Sequence, residues 1–259
     1  MRYALVTGAA SGMGRIYARR LAQRGYNLVL VDINAAGLDE TASMIGEEVK
    51  VLSIVQDLSL MDAADRIYER TEAEKCEVEV LVNNAGVMFC QGLAETSEKM
   101  LNVIMMVHMN TPLMLCRKYV GAMKERRRGY ILNISSLAAW MSWPGIGMYG
   151  NTKRFVRNYS RELRIECQFT GVSVTNAYFG AVDTPLIGIK PSLKKLARIL
   201  TVMISPEKAV RRALRATFWR CRGTMPGLLN KIFFPFIVIL PDFLLGWVYR
   251  MAKKHLMKV

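Results

Sequence analysis

Apolar and polar positions along the first 180 residues follow a regular alternation. Short runs of Val, Ile and Leu, strand-like in length, are separated by longer stretches whose apolar residues recur every three or four positions. The short runs predict strands at 2–6, 27–31, 50–55, 78–82, 129–134 and 171–177. The longer stretches predict helices at 13–24, 36–47, 60–74, 97–124 and 149–168. Gly25 closes the first helix, and Gly129 and Gly171 stand just before later strands, as glycines that end helices do. Strand and helix in strict alternation imply βαβ units feeding one parallel sheet, so an α/β, doubly wound single domain is expected.

Beyond about residue 186 the pattern changes. Residues 192–200 read as a short basic amphipathic helix, and Ser205-Pro206-Glu207 opens a second helix that runs to about Arg220. The most apolar stretch, Ile232 to Pro241, follows and is interrupted by Pro235 and Pro241; a last helix is predicted from Phe243 to about Met257. Its uninterrupted apolar length is about half of what a bilayer span needs, so no transmembrane helix is expected. At the amino end, Tyr3–Val6 is too short for the core of a signal peptide, and the chain begins as a strand.

Composition adds to this picture. The 259 residues are 52% hydrophobic, enough to bury one large core. Five cysteines (Cys76, Cys90, Cys116, Cys167, Cys221) form no C-x-x-C pair, and only His108 and His255 could join them. Neither a disulfide framework nor a metal site is expected, which points to a reducing, cytoplasmic compartment. The formal net charge of +15 is unevenly spread. Residues 1–185 carry 21 Lys and Arg against 19 Asp and Glu, whereas residues 186–259 carry 15 against 2. That tail has no zinc-finger, KH or RRM-type signature, so nucleic acid is not an expected partner.

Candidate chemistry begins after the first strand, at Thr7-Gly8-Ala9-Ala10-Ser11-Gly12-Met13-Gly14. Glycines at 8, 12 and 14 permit a tight strand-to-helix turn and bring backbone amides and a helix N-terminus up to a pyrophosphate. An acidic residue, Asp32, stands at the end of the second predicted strand, where a carboxylate accepts hydrogen bonds from an adenosine ribose and repels a 2′-phosphate. This predicts a Rossmann fold that binds NAD in preference to NADP. Arg15 is the one residue near the glycines that could favour NADP; its alternative is a solvated helix position.

The remaining motifs fall in one chain order: Asp57-Leu58, Asn83-Asn84-Ala85-Gly86, Asn110, Asn133-Ile134-Ser135-Ser136 and Tyr149-x-x-x-Lys153. With the glycine loop, they resemble the short-chain dehydrogenase/reductase family, and the tail is similar to a bacterial branch with long hydrophobic C-termini. Y-x-x-x-K alone is weak, since Tyr249/Lys253 matches it too; only Tyr149 follows a serine at the family's spacing, 13 residues after Ser136. The resemblance implies a catalytic set of Asn110, Ser136, Tyr149 and Lys153. Tyr149 would be the general acid or base, Lys153 would lower its pKa and hold a ribose, Ser136 would orient the substrate oxygen, and Asn110 would hold a relay water. Ser135 competes with Ser136, and a helix-capping role competes for Asn110.

The same resemblance implies cofactor contacts from Gly8, Ser11, Gly12, Met13, Gly14, Asp32, Asp57, Leu58, Asn84, Ala85, Gly86, Tyr149, Lys153, Val182 and Thr184. Asn83 would tie the central strands together, and a loop-capping role competes for Asp57. The family's P-G-x-V-x-T is here Phe179-Gly180-Ala181-Val182-Asp183-Thr184, with Phe179 in place of the proline at the nicotinamide wall. Residues 1–185 would form the dinucleotide-binding and catalytic core, and 186–259 a substrate lid (about Pro185–Ser205) with a hydrophobic, basic C-terminal extension of the same domain.

The expected function is NAD(H)-dependent interconversion of a secondary alcohol and a ketone on a lipid-like, acyl or steroid substrate. The alternatives are an NADPH-dependent carbonyl, 3-oxoacyl or 3-ketosphinganine-type reductase, and a cofactor-binding peripheral membrane protein without turnover. Phe233–Leu240 reads as a subunit interface, a pocket wall or a membrane anchor. The basic amphipathic helix after it, with Trp247, Tyr249 and Arg250, fits a contact at the inner face of a membrane, and a homodimer or homotetramer fits the first reading.

Overall fold

The computed structural model describes residues 2–89, 91–140, 145–182, 203–226 and 241–256. The predicted strands form at β1 (Arg2–Thr7), β2 (Asn27–Asp32), β3 (Val51–Val55), β4 (Glu77–Asn83), β5 (Gly129–Ser136) and β6 (Val172–Phe179). They lie in one parallel sheet in the order β3-β2-β1-β4-β5-β6, and β9 (Gly223–Thr224) extends it beyond β6. A separate two-stranded pair joins β7 (Ala181–Val182) to β8 (Met203–Ile204). The strand order reverses between β1 and β4, and in an open parallel sheet the crevice at such a reversal is where ligands sit.

Helices cover both faces: α1 (Gly12–Ala22), α2 (Ala35–Ser43), α3 (Ala63–Ala73), α4 (Glu98–Met105), α5 (Thr111–Glu125), α6 (Gly147–Glu166), α7 (Pro206–Phe218) and α8 (Asp242–Leu256). The sheet residues alternate between two cores. Ala4 and Val6 of β1 pack with Tyr17 and Leu21 of α1 and Val210 and Leu214 of α7. Tyr3 and Leu5 of the same strand pack with Ile67 of α3, Leu115 of α5 and Val156 of α6. Glu207 at the start of α7 bridges Arg19 and Arg20 of α1, fixing the first helix of the tail to the first helix of the chain. The helix predicted here from Ser205-Pro206-Glu207 begins as expected, with Ser205 Oγ accepting from the Lys208 amide.

The single helix predicted over 97–124 is broken. Between α4 and α5 lies a five-residue π-helical turn, Met106–Asn110. Pro112 accounts for it. Proline has no amide to give the carbonyl four residues back, and its ring crowds that carbonyl, so the chain widens by one residue before α5 resumes. Thr111 Oγ1 donates to Leu58 O (2.8 Å) and holds the turn against the loop after β3.

Candidate active site

The loop after β1 depends on backbone proximity. A Cβ at Gly14 would overlap the carbonyl oxygen of Gly8, and Gly8 itself has φ +68° with Ala85 Cα only 2.9 Å from where its Cβ would stand. Asn84 locks the two loops together: its Nδ2 donates to Thr7 O (2.9 Å), while the amides of Asn84 and Ala85 donate to Thr7 Oγ1 (3.0 and 3.1 Å). Together these loops and the ends of β2 and β3 enclose a cleft of about 590 Å³. It is lined by Gly8, Ser11, Gly12, Met13, Asp32, Asp57, Leu58, Asn84, Ala85 and Gly86, all expected from sequence, and also by Ile33, Gln56, Val87, Val103 and Val107.

The donor set suits a dinucleotide. Helices α2, α4 and α7 each begin with a side-chain cap, from Asn34, Ser97 and Ser205. Helix α1 has none, and no acidic residue in its first turn, so its first amides remain available for an anion in the cleft. Asp32 Oδ2 accepts from the Ala10 amide and Oδ1 from the Asn34 amide (both 3.0 Å), which fixes the carboxylate at the tip of β2. Arg15 is engaged elsewhere: its guanidinium forms two bonds to Glu40 (2.6 and 2.7 Å), one to Ala10 O (2.6 Å) and one to Thr41 Oγ1 (3.1 Å). Asp57 is also committed in part, with Oδ1 accepting from both the amide and the hydroxyl of Ser59.

Ser136, Tyr149 and Lys153, which the family resemblance makes catalytic, do not line that cleft; they lie beside one another at the end of β5 and the start of α6. Lys153 is buried and donates from Nζ to Ile134 O (3.1 Å); burial pulls its pKa down to about 8. Tyr149 is raised, not lowered as expected: burial pushes the phenol up, and the neighbouring Ser136 hydroxyl pulls the other way. The ammonium is directed at Ile134 and lies 5.6 Å from the Tyr149 ring centre, so it does not pair with the phenol in this arrangement. Ser136 Oγ accepts from the Ala138 amide (3.1 Å), while Ser135 is buried and spends its hydroxyl on Lys153 O (2.9 Å). Asn83 donates to Asn133 Oδ1 (2.8 Å) and Asn133 donates to Ser160 Oγ (2.9 Å), a buried chain joining β4, β5 and α6 beneath the site.

Asn110 does not join this group. Its amide points at Met61 Sδ (3.9 Å), and it does not line the cleft. The residue two positions earlier touches Tyr149: His108 is 1% exposed, with its ring edge-on to Tyr149 at 5.6 Å. Its Nε2 accepts from the Val87 amide (3.0 Å), so Nδ1 carries the proton and donates to Thr152 Oγ1 (2.9 Å), which in turn donates to Tyr149 O (2.8 Å). Burial, and secondarily the charge of Lys153, holds the imidazole well below its ordinary pKa and therefore neutral. Residues two apart on a helical turn face opposite ways, so only one of the pair could be the inward residue. Pro112, which forces the widened turn, was the available signal that the register here departs from an ordinary helix.

Two further expectations land differently. The Val182 side chain is buried in the core with Phe179 and Ile204 and is not part of the cleft lining. Phe179 is buried opposite Ser136 in the β5–β6 register, so the substituted proline position is a core position. Thr184, most of the expected lid and the Phe233–Leu240 run lie outside the described residues. Among the described residues no group of three or more His, Cys, Asp or Glu could hold a metal.

Comparison with known proteins identifies the family. The short chain dehydrogenase family model matches residues 2–192. The chain is 34% identical over 261 residues to a very-long-chain 3-oxoacyl-CoA reductase of Anas platyrhynchos, covering 95% of this chain and 74% of that protein. It is 33% identical over 225 residues to a 17-beta-hydroxysteroid dehydrogenase type 3 of Danio rerio, covering 83% and 69%. Among solved structures, a short-chain dehydrogenase from Sphingobium yanoikuyae in complex with NADPH superposes with a TM-score of 0.79 at 25% identity, covering 100% of this chain and 98% of that one.

Proposed function

Since the chain belongs to the short-chain dehydrogenase/reductase family, and so is an NAD(P)-dependent oxidoreductase of CH–OH and keto groups, we propose that it interconverts a secondary alcohol and a ketone on a lipid-like substrate with NAD(H). The observation that carries the coenzyme assignment is the pair formed by Asp32 and Arg15. A carboxylate fixed at the end of β2 opposes a 2′-phosphate, and the nearby guanidinium that could offset it is held by Glu40.

A nicotinamide coenzyme in the cleft supplies or accepts the hydride. In reduction, the Tyr149 phenol delivers its proton to the carbonyl oxygen while the Ser136 hydroxyl orients that oxygen. Lys153 would stabilise the phenolate left behind once its ammonium turns from Ile134 O toward the phenol oxygen. His108 sets where the phenol stands, because its two nitrogens tie the Val87 loop to the first turn of α6. The lipid-like substrate class is supported by the names of the two curated relatives and by the apolar tail.

The proposal also includes a peripheral membrane contact through α8, since Phe243 and Trp247 are 73% and 56% exposed on one side of that helix, next to the exposed Arg250. Among the described residues no helix is long and apolar enough to cross a membrane.

The test is reduction of 2-dodecanone by the purified protein with NADH or NADPH. NADH should be preferred by about tenfold or more in kcat/KM, and Asp32→Ser should narrow that ratio. Tyr149→Phe should lower kcat by ~10²–10⁴ with NADH still bound. A wild type that prefers NADPH would overturn the coenzyme assignment, and undiminished turnover in Tyr149→Phe would overturn the catalytic one.

A further inference from the structure

A second cavity, of about 300 Å³, is lined by Tyr149, which does not line the nucleotide cleft. The loop after β4 serves both spaces: Asn84–Val87 line the cleft, and Phe89 with Gln91–Leu93 and Thr96 line the cavity. Ile146, Met148 and Tyr149 of the α6 start form the opposite wall. Among the described residues a further wall comes from a part of the chain more than ninety residues away in sequence, Tyr249 of α8.

Helix α8 has two sides. Phe243, Trp247 and Arg250, spaced i, i+4 and i+7, are exposed, while Leu245 and Tyr249, spaced i and i+4, are half-buried. The inward ring rests against two glycines. A Cβ at Gly145 would stand 3.7 Å from Tyr249 Cε2, and one at Gly92 would stand 3.6 Å from Tyr249 Oη. These positions leave the backbone bare where the tyrosine lies, so the C-terminal helix is seated on both loops that frame the catalytic phenol.

We infer that Tyr249 is a specificity-determining residue that closes the far end of the substrate cavity and limits the length of the ketone chain it accepts. At roughly 30 Å³ per non-hydrogen atom, the volume takes about ten such atoms beside Tyr149. Its lining suits an aliphatic ketone: Phe89, Leu93, Ile146 and Met148 offer apolar surface for the chain, and Tyr149 offers the phenol for the carbonyl. A longer chain has to pass the Tyr249 ring. The inference rests on the ketone reading above but concerns a different residue and a different readout.

The experiment compares wild type, Tyr249→Ala and Tyr249→Trp, each loaded with NADH, on 2-octanone and 2-tetradecanone. Both kcat/KM and equilibrium binding of each ketone by calorimetry are measured. Tyr249→Ala should raise the long-to-short ratio by about tenfold, and Tyr249→Trp should lower it, because one or two methylenes of pocket change selectivity by that much. NADH affinity, read by nicotinamide fluorescence, reports whether each variant is folded. A wild-type ratio in both folded variants overturns the inference. Altered ketone binding without turnover in any protein supports Tyr249 as the wall and overturns the catalytic reading. A wild type that binds neither ketone overturns both.

Discussion

The glycine loop beside the cleft is constrained by backbone, and the region around Tyr149 by side chains. Gly8 and Gly14 matter there for atoms they lack, since a Cβ on either would strike Ala85 or Gly8. At the other end His108, Ser135, Asn133 and Lys153 are all buried, and each is held by a named partner. Gly8 and Gly14 therefore tolerate no added atom, and the buried groups at the other end tolerate no lost polar partner. The first kind of site is a matter of steric exclusion and shows as a glycine pattern. The second is a matter of register, and which residue faces inward depends on the helix that carries it.

The largest effect that would sharpen this contrast is expected from Gly14→Ala. A single methyl should cost at least ~3 kcal/mol of stability in denaturant titration and abolish measurable NADH binding. Retention of both would show that the loop can yield and that its crowding is not the constraint. Next in size is the pair His108→Leu and Asn110→Ala. Leucine leaves the Val87 amide and the Thr152 hydroxyl without their buried partner, which should cost ~1–3 kcal/mol and lower kcat, whereas Asn110→Ala should change stability by less than about 0.5 kcal/mol. The reverse ranking in thermal melts and turnover would restore Asn110 to the site.

The smallest effect is pH-dependent. Lys153 has its folded pKa near 8, below its ordinary value, so the unfolded chain binds the extra proton above pH 8 and folding gains stability as pH rises through that window. Lys153→Met removes the cost of burying the ammonium. Its melting temperature should therefore exceed that of wild type at pH 7, and the gap should close as pH rises from 8 to 10. A gap that stays constant or widens would contradict the burial argument.

Much of the nucleotide end could be read from the chain because its requirements are local. The strand Arg2–Thr7, the glycines after it and Asp32 at the end of β2 lie within 32 residues and follow a fixed geometry. Tyr149 and Lys153 were legible for the same reason, being one helical turn apart on α6. Asn110 was not, because Pro112 acts through the widened turn and moves the inward face to His108. Val182 looked like a cofactor residue by its place in a motif, yet the core around Ile204 claims its side chain. Gly223 and Thr224 give no strand signal, since two residues carry no periodicity, and β6 recruits them from outside. Tyr249 matched the same four-residue spacing as Tyr149; its contribution comes from tertiary contact with Gly92 and Gly145, which no local pattern encodes.

The π turn at Met106–Asn110 also sets a counting rule for the chain. It holds one residue more than an ordinary helix would over the same rise, and each residue of an α-helix turns the next by about 100°. Deleting any one residue there would remove the surplus residue, and α4 would turn by that angle relative to α5. Val103 of α4, which lines the nucleotide cleft, would leave its place. The surplus residue thus acts as a phase shifter between two helices, setting which side chains of α4 face the cleft.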